Sequence, residues 1–376
     1  MRYLVRSAVR GTFTWGSLAL CLTLTDCKRA ASKPSAPADP AVAQGQEIYA
    51  NMCAVCHGAK GEGYAADFAP RLAQPDFLAT VSDEFLRLAI IDGRTGTPMS
   101  AWGQRHAGPL DDAKVDAVIK YIKSWYGGKR PLLEPDPVKG DATNGAQLFD
   151  QRCKVCHGER GRTGPNVRIG NPELLSSASN GFLRYAIAKG RPGTAMPAFE
   201  QSIGKQGIED VIAALRHWEL PVEPPRPAPP APLPLGPVPL NPKGPDPVGF
   251  KPHPEATSAT VIKAQLDRGA RMAILDSRAP SDYLRQHIRG AVSVPFYDPS
   301  PYLDKLPKDS WLVCYCACPH AESKTLASKL MAAGFKKVTV LDEGLNFWVG
   351  QKYGVEGTAE SAPLAAPSAP TSPVKE

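Results

Sequence analysis

Two short stretches of this chain, CAVCH at residues 53–57 and CKVCH at residues 153–157, are nearly the same. In each, two cysteines stand three positions apart and a histidine follows the second one directly. The residues downstream repeat as well. FLRLAI at 85–90 corresponds to FLRYAI at 182–187, and GRTGTPM at 93–99 corresponds to GRPGTAM at 190–196. Three matches in the same order indicate an internal repeat, and therefore two consecutive domains of one kind.

The spacing of these cysteines and histidines is that of covalent haem attachment. Two thiols three residues apart on a helical turn reach the two vinyl groups of one haem, and the histidine then presents its imidazole to the iron. The alternative is a disulfide or a redox-active cysteine pair with an incidental histidine, which two copies in register disfavour. The predicted ligands of two covalently bound haems c are Cys53, Cys56 and His57, and Cys153, Cys156 and His157.

An iron with one histidine ligand needs a sixth ligand, and a thioether there suits electron transfer rather than oxygen chemistry. In the first domain Met52 adjoins Cys53 and cannot reach the opposite haem face, so Met99 is the predicted ligand. Met196, the sole methionine of the second domain, occupies the same position of the repeat. Filling a core is the ordinary role of a methionine and is the alternative. His106 competes as a ligand in the first domain, but the second domain has no equivalent.

Both domains resemble small class I cytochrome c domains, over residues 41–128 and 140–220. The resemblance implies an all-α fold of a few helices around the haem, with the methionine on a loop. The family's proline whose carbonyl steadies the histidine would correspond to Pro70 and Pro165, and its terminal helix to residues 115–126 and 208–218. Arg94 and Arg191 also match in the repeat, either as partners of haem propionates or as ordinary surface arginines.

A third domain is predicted at residues 255–356. Short apolar, β-branched runs at 273–276, 311–316 and 338–341 alternate with helical stretches, which indicates an α/β fold with a parallel sheet. A helix is expected over 323–333, closed by Gly334. Cys316 would end a strand just before the start of that helix, where α/β sheets bind ligands and a helix dipole favours a thiolate. Cys316 is therefore the candidate nucleophile.

The third domain resembles the rhodanese family in LDSR at 275–278, HIRGA at 287–291, YC at 315–316 and GFKKV at 334–338. The resemblance implies a persulfide on Cys316 and transfer of sulfane sulfur. The family's active loop ends in an arginine that holds an anionic substrate, and none occurs between Cys316 and Ser323. Cys318, Pro319 and His320 stand there instead. A Cys316–Cys318 disulfide, a thiol pair, a metal site with His320, and a degenerate, non-catalytic domain are the alternatives.

The ends of the chain and its connecting segment have their own composition. Basic residues followed by an apolar run at 11–25 indicate an export leader over residues 1–27. Cys27 resembles a lipoprotein cleavage site, although Asp26 stands where a small residue is usual; plain cleavage near Ala30 or an uncleaved anchor is the alternative. Residues 28–40 are predicted to be a flexible spacer. The segment 221–254, with fifteen prolines, is predicted to be a semi-rigid linker, and residues 357–376 a disordered tail.

The net charge of +7 does not indicate a nucleic-acid partner, because the first 33 residues carry six basic side chains against one acidic and the body is nearly balanced. The sequence predicts an exported diheme electron carrier that serves redox partner proteins. It would be periplasmic or at the cell surface, lipid-anchored if Cys27 is modified, and it would also bind a small sulfur compound. The alternatives are a sulfurtransferase with accessory haems, and a carrier whose degenerate rhodanese domain only binds a partner.

Overall fold

The computed structural model describes residues 39–63, 66, 69–133, 135–222, 224, 232–238, 240–317 and 320–358. The predicted leader with Cys27, the spacer up to residue 38, the pair Cys318 and Pro319, and the tail beyond residue 358 lie outside these residues. Within the described ranges, no helix combines the length and the apolar character needed to cross a membrane.

The first two domains are all-α, as predicted, and they repeat the same order of helices. A π-helical turn, Tyr49–Cys53, joins the first two helices of the first domain. The first domain contains α1 (Pro40–Ile48), α2 (Ala54–His57), α3 (Pro75–Thr80), α4 (Asp83–Asp92) and α5 (Asp112–Ser124). The second contains α6 (Ala142–Arg152), α7 (Lys154–His157), α8 (Pro172–Ser177), α9 (Asn180–Lys189) and α10 (Glu200–His217).

The first and last helices of each domain cross at a glycine. A Cβ atom at Gly45 would lie 1.9 Å from the carbonyl oxygen of Ala117, and one at Gly145 would lie 1.8 Å from the carbonyl oxygen of Asp210. The absence of a side chain therefore allows α1 to contact α5, and α6 to contact α10, backbone against backbone. This crossing joins the attachment motif at the end of the first helix pair to the C-terminal helix.

The two helical domains meet through reciprocal contacts. Residues downstream of the attachment motifs correspond at an interval of 97 positions, as in Phe85 and Phe182, whose rings are 5.3 Å apart. The Asn171 side chain donates to the carbonyl of Thr95 at 3.0 Å, and the corresponding Gln74 donates at 3.5 Å to the carbonyl at residue 192. Each domain thus gives the other the same contact, which is the signature of a pseudo-two-fold interface.

The third domain is α/β with a parallel sheet, as predicted. Five strands are hydrogen-bonded in the order β1-β6-β5-β2-β4, all parallel, and β3 pairs with β7 antiparallel. The strands are β1 (Ala256–Thr257), β2 (Met272–Asp276), β3 (His287–Ile288), β4 (Val292–Ser293), β5 (Trp311–Tyr315), β6 (Val338–Leu341) and β7 (Val355–Glu356). The helices are α11 (Ala259–Asp267), α12 (Pro280–Arg285), α13 (Ala321–Ala332) and α14 (Gly344–Gly350).

The three predicted strands are present, and Gly334 follows α13 with a φ of 88°, a left-handed conformation that glycine adopts without strain. Strand β5 ends at Tyr315, one residue before the predicted end, so that Cys316 lies immediately beyond the strand. Helix α13 begins two residues earlier than expected.

The expectation of an unpacked linker does not hold for its last part. Leu240 and Met272 exchange backbone hydrogen bonds, with N···O distances of 2.7 and 3.3 Å. Strand β4 pairs with β2 only at the far end of β2, which leaves the edge beside Met272 open to Leu240. Phe250 is buried, with its ring 5.5 Å from that of Trp311. The apolar residues between the prolines therefore bind this segment to the sheet.

Candidate functional site

Both motif histidines are held by a backbone carbonyl. The Nδ1–H of His57 donates to the carbonyl of Pro70 at 3.0 Å, which confirms the predicted proline. The Nδ1–H of His157 donates to the carbonyl of Val167 at 2.8 Å, so the assignment of Pro165 was wrong. The loop from histidine to carbonyl is three residues shorter in the second domain, and the carbonyl in reach differs accordingly. In both domains this bond leaves Nε2 to face a metal.

Burial shifts the pKa of both motif histidines and of the first thiol of each motif. Burial lowers the pKa of His57 and of His157, which favours the neutral imidazole that an iron ligand must be. Burial also raises the pKa of Cys53 to about 12 and that of Cys153 to about 11. Neither of these thiols is in a disulfide. A disulfide between the motif cysteines, the alternative considered from the sequence, is therefore not formed.

The two predicted methionine ligands lie in identical loops. The backbone N–H of Arg94 donates to the Met99 carbonyl at 3.0 Å. The Thr97 hydroxyl donates to the Arg94 carbonyl at 2.7 Å and accepts from the Met99 N–H at 3.2 Å. The corresponding residues of the second loop make the same three bonds at 2.9, 2.7 and 3.2 Å. Met99 and Met196 are both partly buried and stay the predicted sixth ligands.

The matched arginines are not ordinary surface residues. The guanidinium of Arg94 lies 5.0 Å from the ring centre of Phe85, and that of Arg191 lies 5.2 Å from the ring centre of Phe182. One terminal nitrogen of each arginine is buried and finds no acceptor within the described part of the chain. Burial lowers the pKa of Arg94 to about 10 and also lowers that of Arg191. A buried cation with an unmet N–H group fits a haem propionate as its partner.

His106 is engaged elsewhere than at the haem. Its Nε2 lies 2.8 Å from a carboxylate oxygen of Asp92, and Arg105 hydrogen-bonds to the same carboxylate. Although burial opposes it, these hydrogen bonds hold the pKa of Asp92 below its usual value. The role of a competing ligand for His106 is therefore not supported.

In the third domain Cys316 is fully buried just beyond the central strand β5. Its Sγ lies 3.5 Å from the hydroxyl oxygen of Ser323, in the first turn of α13, and its carbonyl accepts from the Leu345 N–H at 2.9 Å. Sequence analysis did not single out Ser323, because a serine near the start of a helix is usually a cap. The cysteine thus lies where a strand passes into a helix, as the nucleophile prediction requires.

In the loop that follows Cys316, His320 has a left-handed backbone conformation and one ring nitrogen without a hydrogen-bond partner among the described residues. His320 has a φ of 88°, and its Nε2 lies 3.0 Å from a carboxylate oxygen of Asp342. Its Nδ1 is buried and has no hydrogen-bond partner among the described residues. Those residues contain no group of three side chains able to hold a metal ion. The alternatives that involve Cys318 concern a residue outside the described part.

The LDSR residues at 275–278 take part in a buried hydrogen-bond network. Arg278 makes two hydrogen bonds to the Asp276 carboxylate, at 2.9 and 2.6 Å, and the Tyr315 hydroxyl donates to the same carboxylate at 2.6 Å. All three residues are buried. This network ties the end of β2 to the end of β5, and so fixes the residue before Cys316.

The third domain contacts the methionine loop of the first. From Asp39 onward the described residues belong to one compact unit. The Ser100 hydroxyl donates to the Asp282 carboxylate at 2.5 Å, and the Ser281 hydroxyl donates to the Ala101 carbonyl at 2.9 Å. Ser100 directly follows the predicted ligand Met99. Sequence analysis missed this contact, because nothing in the pattern of one domain shows where another domain binds.

An aromatic cluster completes this contact. The buried ring of Trp102 lies 5.7 Å from that of Tyr297 and 6.4 Å from that of Phe296. Lys329 of α13 donates to the carbonyls of both Phe296 and Tyr297 at 2.9 Å. Helix α2, which carries the first attachment motif, lies against α13, the helix that follows Cys316.

Comparison with known families defines the class of this chain. Residues 40–122 and 140–213 match the family model of cbb3-type cytochrome c oxidase subunit III, and residues 258–351 match that of the rhodanese-like domain. The chain is a multidomain c-type cytochrome, with a helical cytochrome c region followed by a rhodanese-like domain. Cytochrome c domains bind haem c covalently and transfer electrons, and the attachment motifs of both matched segments fit that chemistry.

Individual relatives agree with this class. The chain is 33% identical over 168 residues to the cbb3-type cytochrome c oxidase subunit FixP of Bradyrhizobium sp., covering 42% of this chain and 54% of that protein. It is 29% identical over 188 residues to the subunit CcoP of Azospirillum brasilense, covering 46% and 60%. The chain thus spans little more than half the length of these relatives. The solution structure of a rhodanese-like domain from Anabaena sp. shares 31% identity, covering 32% of this chain and 92% of that domain, with a TM-score of 0.27.

Proposed function

We propose that this protein is an exported diheme electron carrier that takes electrons from a sulfur compound bound at Cys316 and passes them to a redox partner protein. The observation that carries the proposal is the contact between the rhodanese-like domain and the loop of Met99. A domain with a buried cysteine lies directly against the ligand loop of a haem site. Export, with residues 1–27 as the leader and Cys27 as the candidate lipid anchor, belongs to the proposal.

Each cytochrome domain would hold one haem c. Haem iron, when bound, accepts and releases one electron at a time. The chain supplies two thiols for the covalent links, a neutral imidazole oriented by a backbone carbonyl, and a methionine on a hydrogen-bonded loop. Arg94 and Arg191 offer a buried N–H group to a propionate. The proposed ligands are Cys53, Cys56, His57 and Met99 in the first domain, and Cys153, Cys156, His157 and Met196 in the second.

The proposed oxidation joins the sulfur of a hydrosulfide to the Cys316 thiol. One S–S bond forms and two S–H bonds break, so that a persulfide, two protons and two electrons result. Two one-electron acceptors in one chain match this two-electron step. Ser323, 3.5 Å from Cys316 Sγ, is placed to exchange a hydrogen bond with the thiol.

The contact between the first and third domains supports the first domain as the entry for these electrons. Ser323 lies in the first turn of α13, and Lys329 of the same helix donates to the carbonyl of Tyr297, whose ring lies 5.7 Å from that of Trp102. Trp102 stands three residues after Met99. These contacts support a path from the helix beside Cys316 to the loop of the predicted iron ligand.

The test is rapid anaerobic mixing of the oxidised, haem-loaded protein with hydrosulfide, followed by the visible haem bands. The native protein should reduce two haems per chain. Cys316→Ser should remove this reaction, because the S–S bond can no longer form. Cys314→Ser is the matched control, since Cys314 is also fully buried but lies on β5, two residues before the proposed site; it should retain the reaction.

A second function is favoured by two observations. Cys316 is fully buried, and neither an arginine nor a lysine stands between it and Ser323 to hold an anion. A rhodanese-like domain of this kind would act only as a binding module. Equal haem reduction in native protein and Cys316→Ser would reject the coupled oxidation in favour of that module. Sulfur transfer to cyanide by the native protein without haem reduction would instead identify a sulfurtransferase.

A further inference from the structure

The haem-attachment faces of the two cytochrome domains differ in what covers them. In the first domain this face consists of Met52, Ala54 and Val55 on the motif side, and Ser100 and Ala101 after the methionine. All five are partly or fully buried, and the rhodanese-like domain lies on Ser100 and Ala101. The first-domain face is therefore occupied from within the chain.

The same positions in the second domain are open. Val155, which corresponds to the partly buried Val55, is 82% exposed. Pro197 and Ala198, which correspond to Ser100 and Ala101, are exposed as well. Together with Arg152 and Lys154 they form what we call the second-domain face, which has an apolar centre beside the predicted ligand Met196.

The two faces also differ in charge, and only the open face has basic residues beside the first cysteine of its motif. Where the covered face has Met52 and Ala54, the open face has Arg152 and Lys154. Lys154 forms ion pairs with Asp150 and Glu159, but Arg152 and the exposed Arg160 form no ion pair with the described residues, so three cations stand against two carboxylates. The rim of the open face is therefore positive, and an occupant with an acidic rim would be attracted to it.

A second copy of the rhodanese-like domain does not fit this face. In the first domain that contact uses the hydroxyl of Ser100, which donates to Asp282, and the ring of Trp102. The second domain has Pro197 and Phe199 at these positions. Pro197 has no hydroxyl to donate, so Asp282 of a second copy would lose its partner.

We propose that the second-domain face is the docking surface for a redox partner protein that has an acidic rim around an apolar centre. Electrons then leave the chain through the second domain, while the first domain faces the rhodanese-like domain. The inference rests on the proposed electron-carrier function and adds the exit and the partner's chemistry. It is independent of the sulfur chemistry at Cys316.

The test uses the full-length, haem-loaded protein, reduced with dithionite so that the Cys316 reaction is bypassed. The probe is an oxidised blue-copper protein with an acidic docking face, mixed at several ionic strengths. The bimolecular rate constant of the native protein should fall as salt rises. Val155→Asp and Arg160→Glu should each lower it by about tenfold at low salt, because the face loses its apolar centre or its positive rim.

The matched control is Lys60→Glu, which makes the same charge change at the position of the first domain that corresponds to Arg160. It should leave the rate within about twofold of the native value, since steering acts at the docking face. Equal slowing by Lys60→Glu and Arg160→Glu, or native rates for Val155→Asp and Arg160→Glu, would overturn the proposal. An uncharged benzoquinone should reoxidise native and variant proteins alike; if it oxidises none of them, the electron-carrier function itself fails.

Discussion

Arg94, which follows α4, is a cation that lies over the ring of Phe85. One of its terminal N–H groups is buried and has no hydrogen-bond acceptor among the described residues. If that group binds a haem carboxylate, Arg94→Gln removes a positive charge beside the first haem. The reduced haem carries one more negative charge than the oxidised form, so its midpoint potential should fall. A spectroscopic redox titration of the loaded protein measures the shift.

The control for this substitution is Arg87→Gln on the same helix. Arg87 forms ion pairs at the surface with Asp112 and Asp116, away from the unmet group of Arg94. Its replacement should leave both midpoint potentials unchanged. A potential unaffected by Arg94→Gln would show that the guanidinium does not face the haem.

Asp92 gives the first domain a defined dependence on acid. Its pKa is depressed in the folded state, so it stabilises the fold above its unfolded pKa, and that contribution is lost as pH falls through the folded value. Asp92→Asn should lower the free energy of unfolding at neutral pH by about 1 kcal/mol, through the lost hydrogen bonds to His106 and Arg105. Urea denaturation should show this difference vanishing in acid, below about pH 4. Asp112→Asn, at an exposed carboxylate, is the control at neutral pH and should change the free energy of unfolding little.

At the scale of elements, each crossing of the first and last helices needs a glycine, because a side chain there would clash with the facing backbone. Gly45→Ala and Gly145→Ala would each place a methyl group within 2 Å of a backbone oxygen on the facing helix. Each should cost about 1–3 kcal/mol of unfolding free energy, because neither backbone can move without disturbing the haem site. Thermal unfolding measures the loss. Gly127→Ala, where nothing lies within 4 Å, should be neutral or slightly stabilising, and equal effects at all three glycines would contradict the crossing.

The elements show which features a sequence predicts. The attachment motifs, the repeat and the three strands are local patterns, and the structure has them where they were expected. The carbonyl that holds His157 was wrongly assigned to Pro165. The loop after His157 is three residues shorter than the loop after His57, and the carbonyl within reach of His157 is that of Val167 rather than that of the proline. The packed part of the linker was missed because Leu240 finds its partner, Met272, on a strand that follows it by some thirty residues. Contacts between distant segments produce no periodic pattern of apolar residues, so a sequence pattern does not reveal them.

At the scale of the whole molecule, the contact between the first and third domains should couple their stabilities. Ser100→Ala removes a hydrogen bond to the partly buried, charged carboxylate of Asp282 and should cost about 1–3 kcal/mol of unfolding free energy. Calorimetry should then show the rhodanese-like domain unfolding apart from the cytochrome region. Ser124→Ala, which removes an exposed hydroxyl bonded only to its own helix, is the control and should unfold as the native protein does. A single unchanged transition for Ser100→Ala would contradict the coupling.

The contacts between the three domains are consistent with one direction of the proposed electron transfer. The rhodanese-like domain lies on the first cytochrome domain, the two cytochrome domains meet through reciprocal contacts, and the second leaves its attachment face exposed. Because Phe85 and Phe182 are paired across that interface, the two cytochrome domains share a packed boundary. The arrangement suits transfer from the rhodanese-like domain through the first haem and the second to a partner.

The measurement that tests the account most directly is a count of covalent haems by mass spectrometry of the intact, matured protein and of its proteolytic peptides. We expect two haem masses per chain, one on the peptide with Cys53 and Cys56 and one on the peptide with Cys153 and Cys156. A single haem, or a disulfide within either motif, would contradict the diheme carrier and the electron path built on it.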